Sequence, residues 1–413
     1  MPHLCMLTQY FPPEMGAPQV RLSELGERLI TRDWEVEALT ALPNYPTGHV
    51  LPGYSPWRAV SEKVGNIRTV RVPLYPAKQG FVRRLASYFS FGASAAVFGP
   101  SMIARPDVLF VESPPLFIGY AARYLAWRWK CPYVLNVSDL WPESAIRMGI
   151  VKPGIATAMA QRLERWLYRG AAAVTGQSDE IIAGVRAVEP QVRTLVVTNG
   201  VDPQRFGRTH ADRDARTLLG DEPGPVFVYA GLLGWAQGLD QILDLARSIP
   251  EAIAGRFVLI GEGPERERLA RRIAEERIDR VRLVGAQPRD RIPKLLAAAD
   301  AAVITLGMNL PGAVPSKIYE AMASELPILL VASGEAAKRV RDAKAGLAID
   351  PGDTDGLRQA FFRLASDVGL RHSLGSAGRR AAETTYHRDR IAGELDEFLR
   401  GVLVRRETGR AET

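Results

Sequence analysis

Within PSKIYEAM, residues 315–322, a hydroxyl, an ammonium and a carboxylate are gathered in little more than one helical turn. Proline keeps the residue before it out of the helical region, so a helix is expected to begin at Ser316 or Lys317. Ser316 is expected at the N-cap, beside the free backbone N–H groups of the first turn. Lys317 adds positive charge where the helix dipole already favours an anion. Glu320, four residues from Ser316, falls on the same face one turn along. Such a helix start suits an anionic ligand. The bland alternative is a capped helix whose Lys317 and Glu320 are simply solvated.

A second helix start has similar logic. PPEMGAP follows an apolar strand, with Gly16 where backbone must come close to something and Pro18 suited to a first helical turn. NVSDLWPES, residues 136–144, ends another strand; Asp139 could cap a helix opened by Pro142 and Glu143. The Asp-x-Asp pairs at 212–214 and 353–355 resemble metal ligands. The first sits in a charged linker, and Asp353 is expected to cap the helix GLRQAFFRLA. His49, after PNYPTG, could reach a substrate or stand in solvent. The five histidines and two cysteines, Cys5 and Cys131, show no ligand spacing, so no metal and no cofactor is expected.

These residues need a frame to hold them. HLCMLTQYF, WEVEALTAL, PDVLFVES, PYVLNVS, AAAVTGQS and RTLVVTN read as short buried strands separated by helix-sized stretches. The pattern restarts after residue 220 with VFVYAG, RFVLIGEG, VRLVGA, AAVITL, PILLVA and GLAID. At 413 residues, two α/β domains with doubly wound parallel sheets are expected, parted near TNGVDPQRFGRTHADRD. Ligands would then lie in a cleft at the carboxyl edges of the two sheets. In RDRIAGELDEFLRGVLVRR, Ile391, Leu395, Phe398 and Leu399 share a helical face.

The net charge of +7 is uneven: residues 68–130 hold nine basic and two acidic side chains. Aromatics are interleaved there, including Phe81, Tyr88, Trp127 and Trp129. No nucleic-acid motif accompanies them, so a nucleic-acid partner is not expected. Tryptophan with arginine at helical spacing favours an anionic membrane surface; the alternative buries both tryptophans between helix and sheet. The uncharged run between Arg84 and Arg105 is 20 residues long but serine-bearing, and reads as an interfacial or buried helix. The N-terminus lacks a basic region before an apolar core, so no signal peptide is expected and a cytoplasmic location follows.

YFPPEMGAP, PNYPTG, DLWPES, TNGVD, AQGLD, GEGPERERL and PSKIYEAMAS occur along nearly the whole chain. Together they resemble retaining glycosyltransferases of family 4, which have the GT-B fold. DLWPES and PNYPTG are similar to the bacterial subgroup of fucosyl- and N-acetylfucosaminyl-transferases of capsule, O-antigen and colanic acid synthesis. The resemblance implies a hexosyltransferase-type enzyme taking a UDP- or GDP-sugar to a lipid-linked, polyprenyl-diphosphate glycan acceptor, peripheral on the inner face of the cell membrane. It implies an acceptor domain of residues 1–200, joined by a crossover helix from about 385 to 413, and a donor domain of 201–384. Gly16, Gly231, Gln237 and Gly261 would approach the donor, with Ser316 and Lys317 on its diphosphate and Glu320 on its ribose. Arg21 is the next candidate for that cation. Asp139 or Glu143 would orient the acceptor or a sugar hydroxyl. Four family positions differ: Ser138 stands where a histidine is usual, Leu232 and Gln237 where an arginine and a lysine are, and Gly312 where a first glutamate is. Those departures keep two rivals in view, an epimerase or hydrolase of the same fold and a non-catalytic nucleotide-sugar-binding protein.

Overall fold

Every side chain of the first strand, β1 (His3–Leu7), is buried, as in a strand covered by helices on both faces. The computed structural model describes residues 1–411 except 15, 46, 78, 79, 221 and 309. Lys78 and the side chain of Phe81, both within the expected basic-aromatic surface, lie outside the described residues.

Eight described strands form the first sheet: β1, β2 (Glu35–Ala41), β3 (Val60–Val64), β4 (Ile67–Val72), β5 (Val108–Ser113), β6 (Tyr133–Val137), β7 (Ala173–Gly176) and β8 (Thr194–Val196). Their order is β3-β4-β2-β1-β5-β6-β7-β8. Neighbours run parallel except β3, which is antiparallel to β4. That pair was not expected from the sequence. VSEKV, at a sheet edge, has three polar residues in a row between its valines, so it lacks the apolar run that marked the others.

Alternation along β1 decides which helices meet which face. Leu4 and Met6 pack with α1 (Ala17–Ile30). Cys5 and Leu7 join the opposite layer, made by α2 (Phe81–Met102), α3 (Ile118–Trp129), α5 (Ile155–Gly170) and α6 (Asp179–Val188). A short helix, α4 (Glu143–Arg147), follows β6. None of the described helices is long and apolar enough to cross a membrane.

The second sheet has the order β11-β10-β9-β12-β13-β14, from β9 (Val226–Ala230), β10 (Arg256–Ile260), β11 (Val281–Val284), β12 (Ala301–Thr305), β13 (Ile328–Val331) and β14 (Gly346–Ile349). All its pairings are parallel. Its helices are α7 (Arg213–Leu219), α8 (Asp240–Ser248), α9 (Arg266–Glu275), α10 (Ile292–Ala297), α11 (Ser316–Ala323), α12 (Gly334–Asp342), α13 (Thr354–Ser366) and α14 (Val368–Glu383). Asp212 caps α7 and Asp353 caps α13, each accepting a backbone N–H.

Residues 1–198 with 391–413 form one compact unit, and residues 199–390 the other. The chain therefore re-enters the first unit within its last helix, α15 (Arg388–Ala411). Ile391, Leu395, Phe398, Leu399 and Val402 are buried there against Trp34 and the α1 leucines. The Trp34 indole N–H donates to Asp396 at 2.6 Å.

Candidate active site

In the second unit the chain steps from β9 outward through β10 to β11, then returns to β12 on the other side of β9. Loops leaving β9 and β12 diverge at that switch point, which opens the carboxyl edge of the sheet to ligands. Gly231 directly follows β9, and α11 begins in the loop after β12. The two touch: a Cβ at Gly231 would lie 2.2 Å from Cε of Lys317 and 2.7 Å from its Nζ. Gly231 and Gly261 hold φ of 146° and 154°, and a Cβ at Gly261 would meet the Gly231 carbonyl oxygen at 1.8 Å. Only glycine fits either position.

The Lys317 ammonium stands 4.7 Å from the centroid of the Tyr229 ring. The Tyr229 hydroxyl donates to the Leu232 carbonyl at 2.6 Å, fixing the loop above it. Burial, opposed by the charge of Glu320, lowers the Lys317 pKa to about 8. Burial raises Glu320, against the pull of Lys317, Arg289 and Arg205. The cations facing Glu320 thus come from its own helix, from a short 3₁₀ turn and from the loop after β11. Neither Arg205 nor Arg289 was singled out in the sequence, because nothing local ties them to PSKIYEAM.

One expectation is corrected here. Ser316 is the first helical residue rather than the N-cap; Pro315 holds that place at φ −62° and ψ 134°, and no side chain caps the helix. Proline already supplies the extended N-cap backbone one residue earlier. Leu232 is 53% exposed. Gln237 ends a short 3₁₀ turn, its backbone carbonyl accepts from the Thr305 hydroxyl at 2.6 Å, and its side-chain oxygen is buried without a protein partner.

The first unit has its own switch point, between β1 and β5. Gly16 precedes α1 with extended backbone at φ 179°. Arg21 of α1 is buried and donates through Nη2 to Glu112 at the end of β5, at 2.7 Å, and to Ser138 Oγ at 3.1 Å. Its Nε and Nη1 are buried without protein partners. Ser138 donates to Glu112 and accepts from Gln177 at 2.6 Å. Asn136 donates to the other Glu112 oxygen at 2.7 Å. The hydroxyl at the family's histidine position is therefore engaged internally.

Asp139 is no helix cap. Its carboxylate accepts from the buried Ser144 hydroxyl, and α4 is preceded by Pro142 with no side-chain cap. Burial raises the Asp139 pKa, opposed by hydrogen bonds from Ser144 and the Leu140 backbone. Glu143 faces solvent, paired with Arg147 at 2.7 Å. Behind it Glu164 of α5 is lifted to about 7 by burial, against a hydrogen bond from Tyr168 and with the charge of Glu143 adding to the rise.

Glu14 organises the loops around this edge. Its buried carboxylate accepts backbone N–H groups of Phe11 at 3.2 Å and of Asn44 and Tyr45 at 2.8 Å. It thereby ties PPEMGAP to PNYPTG, a role its place inside the first motif hinted at but could not assign. Glu14→Ala leaves three N–H groups without their acceptor and should cost about 2–3 kcal/mol. Amide exchange should accelerate at Asn44 and Tyr45, with partial recovery in Glu14→Gln, which keeps one acceptor oxygen. Unchanged protection at both amides would refute the clamp.

Comparison with known proteins divides the chain at the same place. Residues 16–200 match the family model "Glycosyl transferase 4-like domain", and residues 212–381 match "Glycosyl transferases group 1". The chain is a GT-B glycosyltransferase. A probable glycosyltransferase, WbjE, of Pseudomonas aeruginosa is 25% identical over 69% of this glycosyltransferase and 72% of its own length. The GDP-mannose-dependent alpha-(1-6)-phosphatidylinositol monomannoside mannosyltransferase of Mycobacterium tuberculosis is 30% identical; the match spans 49% of the glycosyltransferase and about half, 54%, of that relative. Among solved structures, sucrose-phosphate synthase from Thermosynechococcus elongatus superposes with a TM-score of 0.77 at 20% identity, covering 98% of this chain and 100% of that one. Anabaena HepE in complex with UDP gives 0.70 at 18%, covering 97% and 100%. Gly231, Gly261, Lys317 and Glu320 fall in the group 1 match; Gly16, Arg21, Asp139 and Glu143 fall in the 4-like match.

Proposed function

We propose that the protein transfers a hexosyl-type sugar from a UDP- or GDP-sugar to a lipid-linked glycan, with retention at the anomeric carbon. The observation that carries this reading is the Lys317 ammonium seated beneath Gly231 at the start of α11, with Glu320 one turn away. Lys317 and the first-turn N–H groups hold the donor diphosphate, and Glu320 accepts hydrogen bonds from the ribose. In transfer, the anomeric carbon exchanges its bond to the diphosphate oxygen for one to the acceptor hydroxyl oxygen, whose proton is released. Negative charge grows on the leaving diphosphate, so a fixed ammonium there lowers the barrier more than it aids ground-state binding. Asp139, held by Ser144, orients a hydroxyl in the first unit. A UDP-bound solved neighbour and a relative that acts on a glycosylated phosphatidylinositol support the donor and acceptor classes. The first unit would meet an anionic membrane, as the basic surface suggests, on the cytoplasmic side.

A panel of UDP- and GDP-sugars is tested first for a rise in melting temperature, since a ligand that binds only the folded state stabilises it. The sugar that stabilises most should then pass its label into the lipid fraction of membranes, with the anomeric configuration of the donor kept. Release of free or epimerised sugar without lipid labelling would overturn the transferase assignment for these substrates.

A further inference from the structure

We propose that the first unit carries a second anion site, a cavity at the amino edge of its sheet that takes the phosphate of an acidic phospholipid headgroup. The cavity, about 580 Å³, is open to solvent and lined partly by Pro132, Ala172 and Arg193. Each of these immediately precedes a strand, β6, β7 or β8. Ser138 and Gln177 follow the other ends of β6 and β7, so the cavity and the candidate active site lie at opposite edges, about 16 Å apart along a five-residue strand.

Charge and apolar surface meet in this cavity. Lys130, Arg193 and Arg405 line it without a carboxylate among the lining residues. An adjoining cavity of about 380 Å³ adds Arg123. Arg193 is fixed, its guanidinium 4.3 Å from the Phe398 ring centroid, and its Nη1 is buried without a protein partner. A buried donor of that kind is costly until an acceptor reaches it. Burial first, and then the nearby charge of Arg405, lower the Arg193 pKa. Lys130 ends α3 in the left-handed conformation, φ 52°, where glycine would carry no strain.

A free phosphate would need only the cations. The rim points instead to a lipid. Trp127, at the cavity wall, is 72% exposed and ends a row with Tyr120 and Tyr124 along α3, 50% and 43% exposed. Trp166 of α5 extends the row, 5.7 Å from Tyr120, with the Arg123 guanidinium 4.0 Å from its ring centroid. Aromatic rings flanked by cations suit the headgroup level of a bilayer.

The proposal rests on the membrane part of the function above and not on sugar transfer. Wild type, Lys130→Gly and Arg193→Gln are sedimented with phosphatidylcholine vesicles, with and without phosphatidylglycerol. Lys130→Gly removes a charge while relaxing the left-handed backbone, so its fold is not at risk. Wild type should sediment only with phosphatidylglycerol present, and each variant should bind about five-fold more weakly. Transfer to a detergent-dispersed acceptor should stay unchanged in Lys130→Gly. Equal vesicle binding by both variants, with melting temperatures unchanged, would leave a membrane-bound protein but overturn this cavity as the headgroup site. No binding by wild type would overturn the cavity and the membrane reading together. A melting-temperature rise with inorganic phosphate, lost in Lys130→Gly but without vesicle binding, would overturn the lipid assignment in favour of a soluble phosphate.

Discussion

Lys317→Ala is expected to weaken binding of the free nucleoside diphosphate about tenfold to a hundredfold, the range for a hydrogen bond to a charged group. The loss in kcat should be larger still, roughly a hundredfold to a thousandfold, because the leaving diphosphate gains charge in the transition state. The pH dependence has a definite sign. With its pKa lowered to about 8 by burial, Lys317 is charged below that pH and is ready for an anion. As pH rises above about 8, the unliganded lysine loses its proton and must regain it to bind. Affinity should then fall about tenfold per pH unit, until the raised pKa of the bound state is passed. The alanine variant should lack this slope. Calorimetric titration across that range reads both effects. Wild-type affinity and slope in Lys317→Ala would move the cation elsewhere, to Arg205 or Arg289 beside Glu320. Glu320→Ala serves as the contrast: it should weaken nucleoside diphosphate binding with a smaller change in kcat, since the ribose contact is the same in ground and transition states.

Leu399→Ala is expected to destabilise the first unit by about 2–5 kcal/mol, the cost of truncating a buried leucine. Leu399 is fully buried among Trp34 and the α1 leucines. For a unit of this size the loss corresponds to a fall in melting temperature of roughly 5–15 °C. The location of the effect is the sharper test. Residue 399 belongs by contact to residues 1–198, although it lies beyond residue 390, where the second unit ends. Hydrogen exchange should accelerate across β1, β2 and β5, while β9, β10 and β12 keep their protection. Removing residues 391–413 should do the same more severely. Loss of protection confined to the second sheet would show that α15 supports a different core.

Local pattern alone determined much of this protein. Apolar runs such as HLCML, VLFVES and ILLV specify strands covered on both faces, and their alternation with helices specifies parallel sheets. Asp353 was legible as a cap because a cap bonds only its next few residues. The glycines at 231 and 261 came only from the family resemblance, and the reason that only glycine fits lies in distant atoms. Polar edge strands such as VSEKV were not legible, since half of their pattern faces water.

What only the tertiary structure decided are the pairings of residues far apart in the chain. Lys317 meets Gly231 and Tyr229 because β12 returns beside β9, and no local pattern fixes strand order. Arg21 meets Glu112 because β5 returns beside β1. Two tryptophans show the same division on a smaller scale. From sequence, Trp127 and Trp129 are expected together, both at a membrane surface or both buried, and the structure corrects this. Residues two apart on a helix point about 200° apart and must face different ways. The sequence could not say which turned inward. Packing of α3 on the sheet buries Trp129 to 4% exposure and leaves Trp127 outside, because the face that meets the sheet is set by the whole layer of helices and not by either side chain.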